Sequence, residues 1–463
     1  MFYFISIIAG LIGSTAFEPI NFWFSAIASL SIWFSLLLKS NLERRVIVSY
    51  IFGLSLLLPI QSWTGIYVGN IPWLILCLVQ AFTFIIPAFF VVPGKRFNQI
   101  AFACTFVMVE LLLRTVPFTG FGWSRISFTQ VDGPLKGLYS SGGVVLVAFF
   151  IAIISAARSF LNVCVILLIV ASLSFIPSIN NNGDESNIAL IQGGVSKLGL
   201  EFNSKPQEVF QRHLNQTLKS ISKEEVDLII WPENAVDVDI NVDVEVKQQI
   251  VDLSSLLSTP VLVGGVTRSG SYLQNQSTLF KPEISQIYIK RYLTPFGEYL
   301  PLRKIASKVS HYANQIVDFK AGIKDTIFKS DSASFQTLIC YELLDDSFRK
   351  QIDSDFLVVQ TNNATFGDTA QLDQERQIAR VRAIETGRFI AYVSTTGTTS
   401  FIDNKGVVIA QTSKFISATL KEQIPHVNGK TATQIIGKYL EYFAFVYLIF
   451  IIYRRRGILR KMF

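Results

Sequence analysis

The stretch "TLICYELLDD", residues 337–346, runs as an apolar, strand-like segment into Cys340 and turns at once to Tyr341 and Glu342. The other three cysteines, Cys77, Cys104 and Cys164, all sit inside long apolar segments. A thiol at a strand end has two readings, a small buried hydrophobe or a nucleophile. Its surroundings bear on the choice. Upstream, "NIALIQG", "KPQEVFQRHLNQTLKSIS", "VDLIIWPE", a helical stretch near 243–257 and "TPVLVGGVT" follow one another. Then come "ISQIYIK", "SFQTLICYE", "DFLVVQTNN", the helix "LDQERQIARVRAIETG" and "FIAYVSTTG". This alternation predicts an α/β layered domain in which buried strands are covered by helices. Ligand chemistry in such domains collects at strand ends.

Three strand ends carry reactive types. Glu233 follows "VDLIIWP", Lys290 ends "ISQIYIK" with Glu298 eight residues on, and Cys340 is followed closely by Glu342. Singly, each has a bland account: a carboxylate at a helix start, a solvated strand end, a small core residue. Together they supply a base, a cation and a thiol. A protonated thiol needs a base to become a nucleophile and a positive charge to stabilise the thiolate. His213, His311 and His426 lie in polar or loop contexts and none adjoins a strand-end motif, so a carboxylate beside a lysine is the remaining arrangement. One cysteine and no close histidine pair argue against a metal site, and nothing in the pattern calls for a cofactor. With no second cysteine in this domain, Cys340 is not expected to form a disulfide within it.

Composition adds a second part. Of 463 residues, 50% are hydrophobic and only 16% charged, the balance of a membrane protein. Residues 1–177 are nearly free of charge and 180–430 have an ordinary globular mixture, with a polar linker expected at "SINNNGDESN" (178–187). A bilayer takes roughly 20 apolar residues per helix. Spans are expected at about 2–15, 21–38, 46–62, 71–93, 97–113, 138–157, 159–177 and 434–453. A cleaved signal peptide is the rival reading of the first, but "MFYFISIIAG" lacks a basic start. Lys39, Arg44, Arg45, Lys95, Arg96, Arg158 and the tail "RRRGILRK" fall on one side of the threaded spans, which makes that side cytoplasmic and puts residues 178–433 outside. The net charge of +7 follows this topology and forms no aromatic-interleaved basic patch, so nucleic acid is not an expected partner.

These residues resemble the nitrilase superfamily and, more specifically, its membrane-embedded branch, the apolipoprotein N-acyltransferases. "GSTAFEPINFW", "RTVPFTGFGWSRISFTQVDGPL", "WPENA", "KRYLTPFGEYLP", "CYE", "FGD" and "QIARVRAIETGR" stand in that family's order over nearly the whole chain. The resemblance implies an αββα sandwich on a multi-span α-helical bundle in the bacterial inner membrane, facing the periplasm and acting as a monomer. The domains would be 1–177, a transmembrane bundle; 178–433, the periplasmic catalytic domain; and 434–463, a last span with a cytoplasmic tail. It implies transfer of an acyl chain from a phospholipid, through a cysteine thioester, to a diacylated apolipoprotein. Carried over by motif, the base is Glu233, the lysine Lys290 and the nucleophile Cys340, with Phe296, Glu298, Tyr341, Glu342 and Asn362 around them. The chain departs from the family in having only Phe202 where a tryptophan usually follows the first strand, and Thr365 before Phe366. Aromatics in the loop 114–136 and the segment 298–309 are expected to border the acyl path. Arg114, Arg125, Arg303 and Lys304 are candidates for the donor's phosphate. The rival functions are a membrane-anchored amidase or hydrolase, and an inactive lipid-binding scaffold.

Overall fold

The computed structural model describes residues 1–66, 68–95, 97–174, 179–309, 316–437 and 439–460. Arg96, His311, Lys438, Lys461 and the junction 175–178 lie outside the described residues. The chain divides into two compact units, Met1–Ser178 with Thr431–Phe463, and Ile179–Lys430.

The first unit is helical, and a helix stands at each of the eight apolar stretches: Phe2–Ser14, Trp23–Leu38, Leu42–Ile60, Asn70–Ala81 running on to Phe90, Asn98–Thr115, Leu138–Ser155, Phe160–Ser174 and Tyr439–Arg460. Two of these, Asn70–Phe90 and Leu138–Ser155, are long and apolar enough to cross a bilayer alone; Phe2–Ser14, Trp23–Leu38 and Phe160–Ser174 are apolar but shorter. Small residues bring the helices close. A Cβ on Gly10 would stand 2.6 Å from the Phe52 carbonyl, and one on Gly13 2.6 Å from Ser29 Oγ. Ser6 donates to the Val48 carbonyl and Ser29 to that of Ala9, both at 2.7 Å. The outward faces are apolar: helix Phe160–Ser174 exposes Phe160, Leu161 and Leu168 and buries only Val170, and the last helix exposes Phe443, Val446 and Phe450. Water disfavours surfaces of this kind.

One expectation for the loop 114–136 is corrected. Its Phe118 is exposed and its Trp123 and Phe128 are buried within this unit. Arg125 is equally buried, 3.5 Å from Glu110 and over the Phe128 ring, while Glu110 also accepts from Ser127 N at 2.8 Å. A buried guanidinium already paired with a carboxylate is not available to a lipid phosphate. Arg114 is likewise paired, 2.5 Å from Glu441, and in the second unit Arg303 lies 2.6 Å from Asp318.

The second unit contains twelve named strands: β1 (Asn180–Gln192), β2 (Leu228–Ile230), β3 (Val261–Ser269), β4 (Tyr272–Phe280), β5 (Ile284–Ile289), β6 (Ile327–Lys329), β7 (Ser334–Ile339), β8 (Phe356–Thr361), β9 (Ile390–Ser394), β10 (Ser400–Ile402), β11 (Val408–Gln411) and β12 (Ala418–Asn428). They form two six-stranded sheets, ordered β12-β1-β2-β3-β4-β5 and β11-β10-β9-β8-β7-β6. Strands β1, β2 and β3 run parallel, as do β7, β8 and β9. Side chains alternate between faces. Ile188, Leu190, Leu228, Ile230 and Leu262 pack between the sheets against Phe335, Phe356, Val358 and Ala391. Their neighbours Ala189, Ile191, Ile229 and Val263 pack with Phe210 of helix Glu208–Ser220 and with Val246 and Ile250 of helix Val244–Leu257. Helix Gln371–Thr386 supplies the outer layer of the second sheet, its Glu375 bonding Thr361 of β8 and Tyr392 of β9. The result is an αββα sandwich. Burial on both faces is why the central strands read as unbroken apolar runs.

The linker expected at 178–187 is strand from Asn180 onward, paired antiparallel with β12 across an irregularity between Asn181 and Glu185. Two histidines are also not in the polar surroundings expected for them. His213 is fully buried on helix Glu208–Ser220, its ring 5.8 Å from that of Trp231, and His426 is buried in β12 beside Ser186.

Candidate active site

Each strand end is fixed by its own local device. Beyond β2, Trp231 N bonds the Leu262 carbonyl at 2.9 Å and Val236 N that of Gly264 at 3.0 Å, so the Trp-Pro-Glu turn lies flat against β3. Gly264 is required there, because a Cβ would stand 2.4 Å from the Pro232 oxygen and 2.8 Å from Glu233 Cα. Lys290 extends β5, its N–H bonding Asn275 O of β4 and its carbonyl accepting from Gly322 N, both at 2.9 Å. Cys340 closes β7 with φ +50°, a left-handed conformation that ends the strand abruptly and starts the 3-10 turn Cys340–Leu344.

Glu342 locks that turn. Its side chain is fully buried and accepts from Ile339 N (2.8 Å), Tyr288 Oη (2.7 Å), Arg291 N (2.8 Å) and Tyr292 N (3.2 Å). One carboxylate thereby ties the cysteine turn to the residues just past Lys290. Arg382 holds the far side, donating Nε to Leu343 O at 2.7 Å while paired with Asp346 and Glu385.

The cluster itself is charged and buried. Lys290 Nζ lies 2.9 Å from Glu298 Oε1 and 3.9 Å from Glu233 Oε1. Asn275 Nδ2 bridges the same two carboxylates, at 2.7 Å to Glu233 and 3.0 Å to Glu298. Asn362 N donates to Glu233 Oε2 at 2.8 Å, and Thr294 N to Glu298 Oε2 at 2.7 Å. Burial pushes the Cys340 thiol well up; Glu233 and Glu375 add to this, and Lys290 and Thr361 oppose it. Burial also raises Glu233, against the pull of Lys290 and with help from Glu298. Burial alone would lower Lys290, but Glu298, Glu233 and Cys340 outweigh it and the ammonium is held firmly. A protonated thiol, a carboxylate with enhanced proton affinity and a permanent cation thus share one pocket.

Glu233, Lys290, Glu298, Cys340 and the backbone of Asn362 are brought together. Tyr341 is buried beside them. Glu342 is turned under the lysine segment as a clamp, and Phe296 is half-exposed on the loop between Lys290 and Glu298 with φ +62°. Sequence reading missed Asn275, because β4 "YLQNQSTLF" is polar yet buried over Asn275–Phe280. It also missed Thr361 and Glu375, which read as a strand end and a solvated helix face.

Comparison with known proteins places this geometry. The carbon-nitrogen hydrolase family model matches residues 187–431, over half of the chain. The chain belongs to the carbon-nitrogen hydrolase family. A second model, the apolipoprotein N-acyltransferase N-terminal domain, matches residues 9–157, and the two together put the chain in that family's acyltransferase branch. Curated relatives named apolipoprotein N-acyltransferase include one from Haemophilus influenzae, 28% identical over 94% of this chain and 91% of its own. Another, from Mycolicibacterium smegmatis, is 29% identical over 88% and 77%. Solved structures matching this chain include a carbon-nitrogen hydrolase superfamily protein from Xanthomonas campestris (17% identity, 52% of this chain and 90% of that one, TM-score 0.41). An amidase from Nesterenkonia also matches (15%, 53% and 92%, TM-score 0.41).

Proposed function

We propose that this chain is an apolipoprotein N-acyltransferase: it moves an acyl chain from a phospholipid to Cys340 and then to the α-amino group of a diacylglyceryl-cysteine at the N-terminus of an apolipoprotein. The observation that carries the reading is the convergence of buried Glu233 and Lys290 with the partly buried Cys340 from three strand ends, in a chain that also carries the acyltransferase N-terminal domain.

In the first half-reaction Glu233 takes the thiol proton as Sγ attacks the ester carbonyl. Lys290 and the N–H following Cys340 face the oxyanion, and Glu233 returns the proton to the departing lysophospholipid hydroxyl. In the second the lipopeptide amine attacks the thioester carbonyl, Glu233 takes the amine proton and passes it to the leaving sulfur. The raised proton affinity of Glu233 suits a group that must both accept and give. Glu298 and Asn275 keep Lys290 from collapsing onto Glu233, since the ammonium sits nearer Glu298.

The helical unit is read as a multi-span bundle of the inner membrane, formed by residues 1–177 and 434–463, with the catalytic domain 178–433 in the periplasm. Support comes from the outward apolar faces of its helices and the basic residues Lys39, Arg44, Lys95 and Arg158 on one set of loops. Purified chain given a labelled phospholipid and a diacylated lipopeptide should yield triacylated lipopeptide. Release of free fatty acid alone would make it a hydrolase, and no turnover at all would make it a scaffold.

A further inference from the structure

A second buried carboxylate stands behind the turn that faces Glu233. Glu375, on helix Gln371–Thr386, is 1% exposed. Thr361, the last residue of β8, places Oγ1 2.9 and 3.0 Å from its two oxygens, and Asn363 Nδ2 lies 2.7 Å from Oε2. Gln371 Nε2 (3.1 Å) and Tyr392 Oη of β9 (3.2 Å) donate to that same oxygen. The amides cannot turn round: the Asn363 carbonyl takes the Ser394 hydroxyl, and the Gln371 carbonyl takes Asn363 Nδ2 at 2.8 Å. All four side chains therefore present donors, which is what an ionised carboxylate requires. Thr361 and Asn363 flank Asn362, and it is the Asn362 N–H that donates to Glu233 Oε2 at 2.8 Å, while Glu233 Oε1 takes Asn275 Nδ2 at 2.7 Å. The neighbouring strand end also reaches Glu233: Thr395, just past β9, donates Oγ1 to the Glu233 carbonyl at 3.1 Å.

We propose that Glu375 is a positioning residue for Glu233: by gripping the side chains on either side of Asn362, it holds that residue's N–H on the Glu233 carboxylate. This rests on Glu233 being the base of the reaction. The N–H fixes the rotation of the carboxylate, with Oε1 towards Lys290 and Oε2 on the turn, and it favours the anion. The titratable groups facing Glu233 are Lys290 from the end of β5, Glu298 from the loop beyond it and Cys340 from the end of β7; those facing Glu375 are Cys340 and, from β9, Tyr392. Two effects of Glu375 on Glu233 have opposite signs. Through space, a second negative charge raises the proton affinity of Glu233, so its removal would lower it; through the turn, its removal frees the Asn362 N–H and raises it.

The test is the protonation midpoint of Glu233, followed through the infrared carboxyl band of the full chain against pH and isolated by difference against Glu233→Gln. In Glu375→Gln the carboxamide keeps one oxygen and turns its own N–H groups on donors, so Thr361 and Asn363 cannot both be held. The midpoint should rise by about one pH unit as the Asn362 N–H leaves the carboxylate. A midpoint that falls or does not move overturns the proposal. Should Glu375→Gln fail to fold, Thr361→Val keeps the shape of the strand end and leaves the Glu375 charge in place. It should raise the midpoint by a smaller step, and an unmoved or lowered midpoint overturns the proposal equally. The readout requires no turnover, so failed acyl transfer by the unmodified chain would refute the acyltransferase reading and leave this result to be judged separately.

Discussion

Glu298→Gln separates the base from the cation beside it. Glu298 and Glu233 accept from the same Asn275 nitrogen, at 3.0 and 2.7 Å, so the two oxygens lie within about 5.7 Å of each other. Two unit charges about 5 Å apart at an effective dielectric of ~20 repel by about 3 kcal/mol, or about two pKa units. Removing the Glu298 charge removes that repulsion from Glu233. Lys290 Nζ also loses its 2.9 Å partner and is left with Glu233 at 3.9 Å, which favours the Glu233 anion further. Both effects make Glu233 a weaker base. Glutamine retains an oxygen for Thr294 N–H, so the loop stays anchored. The assay is single-turnover acylation of Cys340 by labelled phospholipid across pH. The acid limb, which reports the base in the free enzyme, should move down by about two units and the plateau should fall by roughly tenfold. An acid limb that stays or moves up would refute the electrostatic account of the cluster.

Lys290→Met should move the same limb the opposite way, because Glu233 loses its cation and keeps Glu298 as a like-charge neighbour. Acylation should slow by about 10²–10³, the scale of losing one oxyanion donor, and an unchanged rate would remove Lys290 from the reaction. Gly264→Ala should push the Pro232–Glu233 turn off β3 and slow acylation while the alkaline alkylation rate of Cys340 stays as it was; full acylation would mean that the turn tolerates a Cβ. His213 is held neutral, its pKa lowered by burial from 6.5 to about 4, so the unfolded chain binds the extra proton first. Stability from this group is therefore present above pH 6.5 and lost as pH falls towards 4, by about 3 kcal/mol in all. His213→Phe should flatten that acid loss in thermal unfolding followed by tryptophan fluorescence, and an undiminished loss would place the acid sensitivity elsewhere.

What could be read from sequence and what could not divide along physical lines. Strands buried on both faces announce themselves as apolar runs, so "VDLIIWPE" and "TLICYE" declared both the sheets and the residues at their ends. β4 did not, because it buries Asn275, Gln276, Ser277 and Thr278: Asn275 bonds Glu233 and Glu298, Ser277 bonds Gln360 of β8, and Gln276 bonds Thr267 of β3 and Thr278 on its own strand. The edge strand β12 carries Lys421 and Glu422 and pairs with residues that looked like a linker, so neither signalled the other. Helix Gln371–Thr386 looked solvated. Its Arg382 and Glu385 are instead buried in an ion network with Asp346 and Arg349 that steadies the cysteine turn, and its Glu375 reaches the site. Buried polar groups are satisfied by long-range partners, and single-sequence periodicity carries no record of those.

The most direct measurement is a mass spectrum of the Cys340 peptide after the purified chain has met labelled phospholipid with no acceptor, then again after a chase with diacylated lipopeptide. The account predicts one acyl group on Cys340, lost on the chase as the lipopeptide gains the label, and neither event in Cys340→Ala. Label reaching the lipopeptide at an appreciable rate in Cys340→Ala would contradict it.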